Sequence, residues 1–116
     1  MDFLLTYNNF KSKDFKNRFL NVSSINKVYN LFSAKIIGYS VNKIPIKVIS
    51  IGNGNIKILI WSQMHGNEST ATKALFDALC YLQENPLFLT TFTLKIIPML
   101  NPDGVIVGNY RCSLVG

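Results

Sequence analysis

The stretch Ile56-Lys57-Ile58-Leu59-Ile60-Trp61, followed by Ser62-Gln63-Met64-His65-Gly66-Asn67-Glu68-Ser69-Thr70, decides how the rest of the chain is read. Its first six residues are almost all apolar, the pattern of a strand covered on both faces. A polar loop follows. Beyond it Ala71, Ala74, Leu75, Ala78, Leu79 and Leu82 recur at helical spacing, with Ser69 or Thr70 able to cap the helix and Asn85-Pro86 to end it. Phe92 to Ile97 then reads as another interior strand, running into Pro98-Met99-Leu100-Asn101-Pro102-Asp103-Gly104. Strand, helix, strand is a βαβ unit and implies a parallel pair.

Working back towards the start, Ala34–Tyr39 and Ile44–Ile51 are short β-branched runs separated by Ser40-Val41-Asn42-Lys43, which predicts two strands joined by a turn. Pro45 opens the second run, where an edge strand tolerates a missing amide. Gly52-Asn53-Gly54-Asn55 is a turn; it holds a G-x-G but lacks the third glycine and the helix that dinucleotide binding needs. Ser23 or Ser24 is expected to cap a short helix with Ile25, Val28, Tyr29 and Phe32 on one face. Residues 1–32 thus read as a polar, partly helical lead-in and 33–116 as an α/β domain. Its sheet is expected to be mixed and largely parallel, with an antiparallel edge and flanking helices.

The 116 residues suffice for one modest core. Lys and Arg number 12 against 6 Asp and Glu, a net charge of +6 that favours acidic partners. Those charges are dispersed except for Lys11, Lys13, Lys16 and Arg18, a cluster that reads as a solvated face, so nucleic acid is not the expected partner. No apolar run approaches the ~20 residues that cross a bilayer. Met1-Asp2-Phe3-Leu4-Leu5 is not a secretory leader, so the cytoplasm is the expected location. Cys80 and Cys112 have no metal-type spacing, and Cys80 falls on the apolar side of the predicted helix as a buried thiol.

Functional groups in open α/β sheets collect at the carboxyl ends of strands. Two segments fall there: His65-Gly66-Asn67-Glu68, and Asn101-Pro102-Asp103-Gly104 with Arg111 further on. An imidazole and a carboxylate three residues apart, with a glycine between them, can converge on one Zn²⁺. The same spacing also occurs in ordinary polar loops.

Taken together, Trp61 to Thr70 and Ile97 to Gly104 resemble the zinc carboxypeptidase family typified by carboxypeptidase A. The front part is most similar to bacterial members. The tail from Asn101 to Leu114 resembles the cytosolic carboxypeptidases that trim glutamate from protein tails. The resemblance covers about residues 33–116 and implies an enzyme that removes C-terminal residues from peptides or proteins. It implies His65 and Glu68 as zinc ligands, and Arg111 as the substrate-binding and catalytic cation that stabilises the oxyanion. Asn101, Pro102 and Asp103 would shape the loop that delivers Arg111. The family's third ligand is a downstream histidine, but His65 is the only histidine here. Its Asn-Arg pair and glutamate base would fall past Gly116. The resemblance therefore implies an N-terminal fragment whose site is incomplete. The alternative is a non-catalytic binding or assembly module that keeps half of the fold.

Overall fold

A computed structural model describes residues 20–107 of the chain. Arg111, Cys112 and the basic cluster 11–18 lie outside the described residues.

Helix α1 spans Val22–Leu31. Its cap is Asn21 rather than Ser23 or Ser24: the Asn21 side chain accepts from the Ser24 amide at 2.7 Å, and the Ser24 hydroxyl accepts from the Asn21 amide at 3.1 Å. This reciprocal box satisfies two amides that would otherwise lack partners. The expected apolar face is present, with Ile25 and Tyr29 buried and Val28 and Phe32 packed beside them.

Strands β1 (Lys35–Tyr39), β2 (Pro45–Ile51), β3 (Ile56–Trp61) and β4 (Phe92–Ile97) form one sheet in the order β1-β2-β4-β3. The β1–β2 hairpin is antiparallel, with a register shift between Ile36 and Gly38. β2 also runs antiparallel to β4, while β3 and β4 are parallel over six paired residues. The α/β class, the mixed sheet, the antiparallel edge and the βαβ unit are therefore as read from the sequence. Among the described residues, however, only one of three pairings is parallel. The reason is topological: the hairpin's second strand lies between β1 and β4, and runs against both.

Helix α2 (Thr70–Glu84) crosses from β3 towards β4 and is followed by a short 3-10 helix, Pro86–Thr90. Ser69 occupies the cap position of α2 but makes no side-chain cap bond. The buried face of α2 carries Thr72, Phe76, Asp77 and Leu79, whereas Ala71, Ala74 and Ala78 are exposed. Helical spacing identified the helix, and Leu75 and Leu79 do meet the core, but the alanines grouped with them face outward, because the sheet covers the side that carries Phe76. Cys80 is half-buried.

The core joins Leu20, Ile25, Tyr29, Ile49, Phe76, Leu79, Ile96 and Met99. It lies between β2–β4 on one side and α1 and α2 on the other. β3 departs from the sequence reading. Leu59 and Trp61 are 58% and 51% exposed, and Ile56 and Ile58 are open as well. An apolar composition marked it as an interior strand, but in this sheet β3 pairs with β4 alone and forms an edge.

Candidate metal centre

The parallel pairing of β3 and β4 continues past their ends. The Ser62 amide donates to the Ile97 carbonyl, the Leu100 amide to the Ser62 carbonyl and the Asn101 amide to the Gln63 carbonyl, each at 3.1 Å. The two loops singled out by the sequence therefore lie side by side at the carboxyl end of the parallel pair, the place where α/β sheets collect functional groups.

The first loop makes a tight turn in which the Glu68 amide donates to the His65 carbonyl at 3.1 Å. His65 is half-buried and Glu68 exposed. An open cleft of about 770 Å³ beside the loop is lined by Trp61, Asn67, Glu68, Ala71 and Ala74, among others. His65 does not line it. Asn67 Oδ1, between the two candidate ligands in sequence, is buried without a hydrogen-bond partner.

The second loop holds the first. Asn101 donates through Nδ2 to the Met64 carbonyl at 3.1 Å, while its Oδ1 accepts from the Gly104 amide at 3.0 Å. Asn101 thus caps helix α3 (Pro102–Val107) and ties it to the residue before His65. Gly66 approaches Gly104 so closely that a methyl group on Gly66 would overlap the Gly104 backbone. Asp103 anchors the far side. Its carboxylate accepts from the Ser40 hydroxyl at 2.6 Å and the Asn42 amide at 3.2 Å, fastening the β1–β2 turn to α3. Asn101 and Asp103 are buried, at 3% and 4% exposure, so their polar groups act within the fold.

Sequence reading passed over Gln63 and Thr72, both buried behind the turn. Thr72 had left a trace: a hydroxyl residue three positions after the cap, on the face that also carries Phe76 and Leu79.

As a donor set, His65 and Glu68 offer the nitrogen and carboxylate oxygen that Zn²⁺ accepts, on a short loop fixed at both flanks. The residues present fit half of a zinc site. No group of three or more His, Cys, Asp or Glu side chains that could hold a metal lies among the described residues.

Residues 23–115 match the sequence profile of the zinc carboxypeptidases. The chain belongs to the zinc carboxypeptidase family. Cytosolic carboxypeptidase 3 of Bos taurus is 43% identical over 63 residues, covering 51% of this chain and 6% of that protein. Cytosolic carboxypeptidase 6 of Caenorhabditis elegans is 32% identical over 99 residues, covering 76% of this chain and 22% of that protein. Among solved structures, a Pseudomonas aeruginosa metallo-carboxypeptidase superimposes with a TM-score of 0.67 at 20% identity, over 80% of this chain and 28% of that one. One from Burkholderia cenocepacia gives 0.58 at 25% identity, over 75% and 27%. The chain thus spans under a third of each of these proteins. The family is zinc-dependent as a class, and no described helix is long and apolar enough to cross a membrane.

Proposed function

We propose that this chain carries the zinc-ligand loop of a metallocarboxypeptidase that removes C-terminal residues from peptides or proteins. The observation that supports this best is the locked turn bearing His65 and Glu68 at the carboxyl end of β3, in a chain of this family. In this reading His65 and Glu68 hold Zn²⁺, which supplies Lewis acidity when bound. The guanidinium of Arg111 stays charged at any working pH and offers several donors, so it is suited to hold the scissile carbonyl as negative charge develops. Asn101 and Asp103 tie the segment before Arg111 to the ligand turn and to the β1–β2 hairpin. The net charge of +6 and the likeness to cytosolic carboxypeptidases favour acidic C-terminal residues as substrate and the cytoplasm as location.

His65 is the chain's only histidine, so its imidazole gives a single pair of nitrogen signals by NMR. Adding Zn²⁺ is expected to shift them weakly but saturably, and Glu68→Ala to raise the half-saturation by about tenfold. A wild-type imidazole that ignores Zn²⁺ overturns the reading. With two of the usual three protein ligands, the 116 residues alone are expected to release no C-terminal amino acid. Release that His65→Ala abolishes would contradict that expectation.

A second reading draws on the exposed edge strand β3 and the absence of a third donor among the described residues: a binding or assembly module with half of the fold. It predicts partner binding that a chelator leaves unchanged.

A further inference from the structure

Gln63 leaves β3 in the left-handed region, at φ +54°, a conformation that crowds the Cβ of any residue but glycine. Such a residue persists where its surroundings over-determine it. Here they do. Its carbonyl accepts from the Asn101 amide at 3.1 Å, its Nε2 donates to the Gly66 carbonyl at 3.0 Å, and its Oε1 accepts from the Thr72 hydroxyl at 2.8 Å.

Counting protons gives the arrangement a direction. The Thr72 hydroxyl, fully buried, lies near Ser62 Oγ (2.9 Å), the Pro98 carbonyl (3.1 Å) and Gln63 Oε1 (2.8 Å), yet it has one proton to give. Ser62 already donates to the Pro98 carbonyl at 2.6 Å. The Gly66 carbonyl can only accept, so the Gln63 amide nitrogen faces it, and the Gln63 Oε1 on the other side takes the Thr72 proton. A relay thus runs from the first turn of α2 through Gln63 to the peptide joining Gly66 to Asn67, between the two candidate ligands.

We infer that Gln63 and Thr72 are positioning residues for the zinc-ligand turn, fixing the Gly66 peptide and with it the relative placement of His65 and Glu68. This rests on the reading of His65 and Glu68 as the zinc pair. A hydrogen-bonded shell behind metal ligands typically changes affinity by about 10–100-fold when disrupted.

The test is Zn²⁺ titration of the 116-residue chain, read at the His65 imidazole nitrogens, with folding checked by methyl signal dispersion. Thr72→Val keeps the shape of the side chain but gives Gln63 no proton; Gln63→Met removes both of its side-chain bonds. Each is expected to raise the half-saturating Zn²⁺ concentration by about tenfold. Thr72→Ser, which keeps the hydroxyl, is expected to stay within about twofold of the wild type. Folded Val and Met variants that respond like the wild type overturn the positioning role while leaving the zinc pair standing. Loss of folding in both variants assigns the relay to the fold alone and also overturns it. A wild type that shows no response removes the zinc pair itself, and the positioning role with it.

Discussion

β3 and β4 are neighbours of nearly the same composition, yet one is interior and the other is open. Ile96 of β4 is 2% exposed, while Leu59 and Trp61 of β3 are more than half exposed. The register explains the difference. β4 is paired on both sides, with Ile96 opposite Ile49 of β2 and Ile60 of β3, and its inward residues meet α1 and α2. Leu59 and Trp61 pair with Lys95 and Ile97 on the sheet face opposite Ile96, where Lys95 and Ser50 are exposed as well. β3 has one neighbour among the described strands, which also leaves Ile56 and Ile58 open. An apolar run therefore states that a strand is made to be covered, not that it is covered. The loop after β3 behaves differently at its base: Ser62, Gln63 and Ser69 are each at most 5% exposed, so the turn is anchored on buried residues although Glu68 and its strand are open.

The largest expected effect tests that contrast directly. Ile96→Ala should cost the 116-residue chain about 2–5 kcal/mol in urea unfolding, the range for emptying a filled core position. Leu59→Ala should stay within about 0.5 kcal/mol, as for other exposed sites. Equal losses would break the comparison, because they would mean that β3 is covered in solution by another chain or another part of this one.

The same contrast separates what could be read in the sequence from what could not. The strands, the second helix and the placing of both loops at strand ends follow from local periodicity and turn residues. Burial of β3 was misjudged because it depends on strand order, which no local window contains. Leu75 and Leu79 of α2 were legible as core-facing, but Phe76 was not, because Ala71, Ala74 and Ala78 fit a helical period as well as it does and only the position of the sheet decides between them. The Asn21 cap was missed because Ser23 and Ser24 are equally good cap residues on composition; Ser24 fills the third position of the box instead. For the candidate site, the placing of His65 and Glu68 on one loop after β3 was legible, and their role as a zinc pair is the proposal. The bonds that hold them, from Gln63, Thr72 and Asn101, were not, since a buried amide or hydroxyl declares its partner only once the chain has folded. Arg111 lies outside the described residues.

An intermediate effect sharpens the contrast at the loop. Gly66→Ala pushes a methyl group into the Gly104 backbone, which has no side-chain freedom with which to yield. A loss of about 1–3 kcal/mol is expected, as for other overpacked sites, measured by urea unfolding. A neutral result would show that the two loops are not in contact in solution, and that the open character of β3 extends to its end.

The smallest effect probes the opposite side of the core, at α1. Tyr29 is buried, with the Lys47 ammonium 5.2 Å above its ring, and burial pushes its phenol well above the ordinary value near 10. The raised value gives the sign. Below about pH 10 the phenol is neutral in both the folded and the unfolded chain, so its burial is fully compatible with folding. Above that the unfolded chain loses the proton first and gains stability relative to the folded one. Folding stability is therefore expected to fall as pH rises through 10, by just under about 1 kcal/mol at half a unit beyond it. Tyr29→Phe removes this component, so the difference between wild type and variant should be constant from pH 7 to 9 and drift against the wild type beyond. A difference that stays constant past pH 10 would mean that the phenol reaches water. In that case the covered region is smaller than the contrast between β4 and β3 requires, and α1 does not close its end.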